Sequence, residues 1–88
     1  MRTIWKYRLE ISGEQTLQMP RGAQILSVQA QGGTIVLYAL VDPAKAKEDR
    51  AVNVVGTGFD ITDRISADKR YLGTVPTDGG KFMWHVFA

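Results

Sequence analysis

The sequence has no cysteine and only one histidine among its 88 residues. The first absence excludes a disulfide framework and any thiolate zinc site. The second leaves too few ligands for a histidine-based metal centre and a single imidazole for acid–base work. Apolar runs are short, the longest being Ile35 to Val41, so no membrane-spanning segment is expected. The excess of one sign of charge over the other is small as well. The net charge is +2, a thinner basic excess than a dedicated duplex-DNA binder carries. Fixed-period repeats, low-complexity tracts and linkers are missing, which leaves one domain over residues 1–88. A domain of this size buries roughly 60–65% of its unfolded surface. Without cross-links, its stability rests on the apolar core, with oligomerisation as the remaining aid.

What is present alternates with period two. Thr3, Trp5, Tyr7, Leu9 and Ile11 fall on one face of a strand, and Ile4, Lys6, Arg8 and Glu10 on the other. Ser12-Gly13-Glu14 reads as a turn, residues 15–19 as a brief strand, and Pro20-Arg21-Gly22 as a break. Residues 24–31 form a strand with Leu26, Val28 and Ala30 inward. Gly32-Gly33 then makes a hairpin with 34–41, because glycine reaches the positive φ angles of a type I′ turn. This second strand is apolar on both faces, so it is central and covered, or one face is buried by another subunit. Asp42-Pro43 resembles a helix start, and residues 44–50 allow a turn or two of solvated helix or a loop. Strands follow at 51–55, 70–75 and 81–87. Ile61 and Ile65 allow one helical turn, and residues 76–80 a loop. The expected fold is all-β with minor helix, a small antiparallel sandwich or barrel of six to seven short strands.

The candidate sites each have a plainer alternative. The net +2 arises wholly within residues 1–41, where four cations face two carboxylates. Lys6 and Arg8, two apart on a strand, lie roughly 7 Å from each other, a spacing that suits successive phosphates. The plainer reading is a charged edge strand that resists aggregation. Arg21 is a further cation in this half. Gly56-Thr57-Gly58 offers backbone and a hydroxyl to an anion, but its spacing is neither a Walker loop nor a dinucleotide fingerprint, and a plain turn is favoured. His85 lies on the mixed face of its strand beside Trp84, and a structural or interface role is favoured over catalysis. Asp60, Asp63 and Asp68 match no calcium-loop spacing, so no metal or other cofactor is expected. Trp5 and Tyr7 belong to the core face, whereas Tyr38, Tyr71 and Trp84 stay open as stacking residues.

Four segments together carry a family resemblance. They are the opening Met-Arg-Thr-Ile-Trp-Lys-Tyr, the Gln-Thr-Leu-x-Met-Pro stretch, Ala-Leu-Val-Asp-Pro with Gly-Thr-Gly, and the closing His-Val-Phe. The chain resembles a small family, without assigned function, encoded by tailed bacteriophages and prophages. The resemblance implies a bacterial host cytoplasm as the setting and brings no catalytic residue with it. With no paired carboxylates on a common strand face, an enzyme is the weakest reading. The expectation is a non-enzymatic counter-defence protein, a homo-oligomer that binds a host immune protein or sequesters an anionic, nucleotide-derived signal. Lys6, Arg8, Arg21 and Gly56 to Gly58 would hold the ligand, with Tyr38, Trp84 and His85 at the interface or stacking on it. The alternatives are a small-barrel single-stranded nucleic-acid binder and a minor virion or assembly protein.

Overall fold

The computed structural model describes residues 1–11, 13–62 and 64–88. Ser12 of the expected turn and Asp63 of the aspartate group lie outside the described residues. The described chain forms seven strands and no α-helix: β1 (Thr3–Leu9), β2 (Gly13–Pro20), β3 (Gln24–Gln31), β4 (Thr34–Val41), β5 (Lys47–Gly56), β6 (Tyr71–Thr77) and β7 (Phe82–Phe87). One antiparallel sheet runs β1-β4-β3, the other β2-β5-β7-β6. Extents of 40 × 31 × 15 Å suit two sheets stacked about 10 Å apart. The expected all-β fold is what the chain adopts, and of the two expected arrangements, sandwich or barrel, its two separate sheets form the sandwich.

The core lies between the sheets. Ile35, Leu37, Ala39 and Val41 from one side of β4 meet Val52 and Val54 of β5, Val75 of β6 and Val86 of β7. A Cβ added at Gly73 would fall 2.9 Å from Val28 Cγ2, so β6 rides directly on β3 along one edge. In β1 the alternation holds: Trp5 and Tyr7 pack against the core and Leu9 is buried, while Ile4 is 57% exposed. The strand stops at Leu9, however, which leaves Ile11 exposed instead of inward. Gly32 and Gly33, with φ of 59° and 80°, close the β3–β4 hairpin as expected.

Several local expectations are corrected. Residues 47–50 are not helical but form the start of β5, laddered against β2 from Pro20↔Lys47 to Leu17↔Arg50. A charged run without an apolar face gives a helix nothing to bury, whereas β2 offers a full set of backbone partners. Asp42 caps the turn before it, its carboxylate accepting from the Ala44 N–H at 3.0 Å. The described residues between Phe59 and Arg70 make turns, one of them closed by Arg64 N–H to Ile61 carbonyl at 3.0 Å. The helical turn expected at Ile61 to Ile65 includes Asp63, outside the described residues. A register shift between Ile25 and Ser27 turns Leu26 out to 46% exposure and brings Ile25 inward in its place. Ala30, near the strand end, is exposed.

The two-sided apolar strand β4 is central, between β1 and β3. On its outer face Val36 is only 3% exposed. Its cross-strand neighbours are Arg8 and Gln29, and Lys6 reaches over β4 to bond Gln31 Oε1 at 2.9 Å. The aliphatic stems of these polar residues cover it. The chain meets this need for cover internally, so β4 supplies no reason for a homo-oligomer.

Candidate functional site

One end of the four-stranded sheet gathers the close of β5, the close of β6 and the start of β7. Alternation places Phe82, Trp84 and Val86 on the inner side of β7, with cover thinning towards the strand start. Val86 is fully buried, Trp84 half-buried and Phe82 49% exposed. The indole is anchored, since Trp84 Nε1–H donates to the buried Thr77 hydroxyl at 2.8 Å. Opposite Trp84 in the ladder stands Gly56. A Cβ there would sit 2.8 Å from the Phe59 ring, so glycine is what lets this ring fold back onto the strand. Phe59 meets Trp84 edge-on, centroids 5.9 Å apart at 87°, and Phe82 tilts against Trp84 at 6.4 Å.

These rings, with Met83 and Thr57, line a recess of about 550 Å³. Phe59 is 51% and Met83 38% exposed. Lys81 also lines the recess, its ammonium 5.7 Å from the Phe82 ring centroid, and among the described residues no carboxylate does. A concave apolar site with few polar groups is the usual form of a small-molecule pocket.

A polar chain borders the recess on the outer face of the same sheet. The Thr57 hydroxyl meets His85 Nε2 at 2.7 Å, and His85 Nδ1 meets the Thr74 hydroxyl at 2.9 Å. Tyr71 OH bonds Thr74 in turn, and its ring lies 5.6 Å from that of Phe87. In a neutral imidazole one nitrogen donates and the other accepts, so the two threonines take opposite roles. Thr57 and His85 have the reach of a nucleophile and its base. The second nitrogen bonds a hydroxyl, however, where a catalytic triad has a carboxylate to stabilise the imidazolium.

Among the residues singled out from sequence, Gly56, Thr57, Trp84 and His85 thus come together. Gly58, at φ 87°, completes the turn that returns Phe59. The Thr57 N–H donates to Met83 carbonyl at 3.3 Å and the Phe59 N–H to Gly56 carbonyl at 3.1 Å. What this turn offers a ligand is therefore chiefly a hydroxyl and a ring. Lys6, Arg8 and Tyr38 lie on the outer face of the other sheet. Arg21 sits in the β2–β3 turn, its N–H bonded to Ala46 carbonyl, at the end away from the recess. Sequence reasoning missed Phe59, Lys81, Phe82 and Thr74. The shared parity of Phe82 and Trp84 was visible, but nothing in the chain marked Phe59 as their neighbour.

Electrostatic tuning is slight. Asp60 is held below the usual carboxylate range by hydrogen bonds from Thr62, and Asp68 by one from Ser66. Among the described residues no three His, Asp or Glu side chains gather to hold a metal ion, and no helix is long and apolar enough to cross a membrane. No curated protein and no solved structure matches the chain. The chain belongs to the family described as Domain of unknown function (DUF7352), whose model matches residues 1–88.

Proposed function

We propose that this is a non-enzymatic binding protein whose recess takes a small anionic ligand carrying a planar ring, as a nucleotide derivative does. The observation that carries this reading is the Phe59–Trp84–Phe82 cluster, left open to solvent and lined, among the described residues, by one cation and no carboxylate. Stacking a base on an aromatic side chain is worth about 1–3 kcal/mol, and the Lys81 ammonium supplies a point charge for a phosphate. The concavity favours a small ligand over the capture of a host defence protein. The resemblance to phage-encoded proteins supports counter-defence in a bacterial cytoplasm, by sequestration of a nucleotide-derived immune signal.

Calorimetry with cyclic nucleotides and ADP-ribose derivatives tests the proposal. At least one is expected to bind tighter than about 100 μM. Phe82→Ser and Lys81→Gln, both at exposed positions, are each expected to weaken that binding about tenfold. A panel in which nothing reaches about 100 μM overturns the reading.

A further inference from the structure

The outer face of the three-stranded sheet carries a second, independent arrangement. Its two middle rungs are Lys6–Tyr38–Ser27 and Arg8–Val36–Gln29, each read across β1, β4 and β3. Both charged side chains on the face are cations, and Glu10 and Asp42 lie beyond the strand ends. Tyr38 is half-buried between Lys6 and Ser27, one rung from Arg8. Covering Val36 explains the long polar stems. It explains neither the single sign of charge nor an aromatic ring set directly across from Lys6 and one rung from Arg8.

We infer that this face binds single-stranded nucleic acid, with a base stacked on Tyr38 and successive phosphates on Lys6 and Arg8. Two residues apart on one strand, these cations are roughly 7 Å from each other, which matches the repeat of an extended backbone. Ser27 and Gln29 present hydroxyl and amide groups to sugars or base edges. The three-stranded face presents no helix to a duplex major groove, whereas a single strand offers its bases for stacking. An acidic protein segment would satisfy the two cations but has no planar group for Tyr38.

Fluorescence anisotropy with a labelled pyrimidine oligonucleotide of about twelve nucleotides tests this, titrated from about 20 to about 200 mM salt. Two phosphate contacts give a slope of log K against log salt near −1.4, at about −0.7 for each contact on a single strand. Lys6→Gln and Arg8→Gln keep the stems over Val36, and each is expected to flatten the slope by about 0.7. Tyr38→Leu is expected to weaken binding about tenfold at unchanged slope, and Tyr38→Phe to retain it. Thr16→Ala, at an exposed position on β2 of the other sheet, leaves all of this unchanged. The inference is overturned if the oligonucleotide fails to bind at the lowest salt. It is overturned equally if polyglutamate of equal charge displaces the oligonucleotide as well as nucleic acid does. Should Tyr38→Leu fail to fold by circular dichroism, the Lys6 and Arg8 slopes decide alone.

Discussion

The two sheets treat apolar surface in opposite ways. On the three-stranded sheet, Val36 faces outward yet is 3% exposed beneath polar side chains from both neighbouring strands. At the end of the four-stranded sheet, Phe59 and Phe82 stand about half exposed, and Lys81, the one cation lining their recess among the described residues, leaves them so. A central strand has flanking residues on both sides to close over it, whereas a strand end does not. The contrast separates apolar residues covered within the fold from those open to solvent.

The largest expected effect tests the covered side. Val36→Asp puts a carboxylate beneath the polar cover, where Arg8 and Lys6 only partly offset its desolvation, and should cost about 3 kcal/mol in chemical denaturation. Phe82→Asp should cost below about 1 kcal/mol, since half the ring is already in water. Equal losses would erase the distinction. Next, Gly56→Ala places a methyl 2.8 Å from the far edge of the Phe59 ring. The ring is expected to swing away, leaving the melting temperature nearly unchanged while ligand affinity in the recess falls about tenfold by calorimetry. Trp84→Phe removes the bond to the buried Thr77 hydroxyl and should lower stability by about 1 kcal/mol, measured by urea unfolding.

The smallest effect concerns the inner side of β1. Burial raises the Tyr7 phenol above its ordinary 10.0, and its buried hydroxyl has no hydrogen-bond partner among the described residues. Below that value both folded and unfolded chains hold the proton, so stability is unaffected. Above 10.0 the unfolded phenol ionises first, so stability falls as pH rises towards the folded value. Tyr7→Phe should flatten this alkaline loss and leave stability at neutral pH unchanged or up to about 1 kcal/mol higher. Unfolding curves collected at neutral pH and just above pH 10 compare the two chains.

Much of the strand layout was legible. The alternation in β1 and the glycine pair between β3 and β4 are local signals, and both elements formed where those signals lay. Residues 47–50 were not legible as a strand, because Glu48 and Arg50 bring charged side chains to the face that Met19 and Leu17 share. The Arg50 guanidinium is accommodated by donating to the Ala23 carbonyl at 3.1 Å, a partner that no local pattern announces. Within the candidate site, Gly56, Thr57, Trp84 and His85 stood out by residue type, whereas Phe59 lay in a stretch that reads as polar loop.

The sequence by itself determined an all-β chain: which residues extend, which faces alternate and where glycine turns the backbone. Those follow from φ/ψ preference and the period of two, which act over a few neighbouring residues. Only the tertiary structure decided which strands lie side by side. That choice brought His85 between Thr57 and Thr74, 28 and 11 residues away. It also set Phe59 against Trp84 and drew Arg8 and Gln29 alongside Val36. Periodicity names the face of a residue but carries nothing about the neighbour across the ladder, and the neighbour determines whether that face is covered or open.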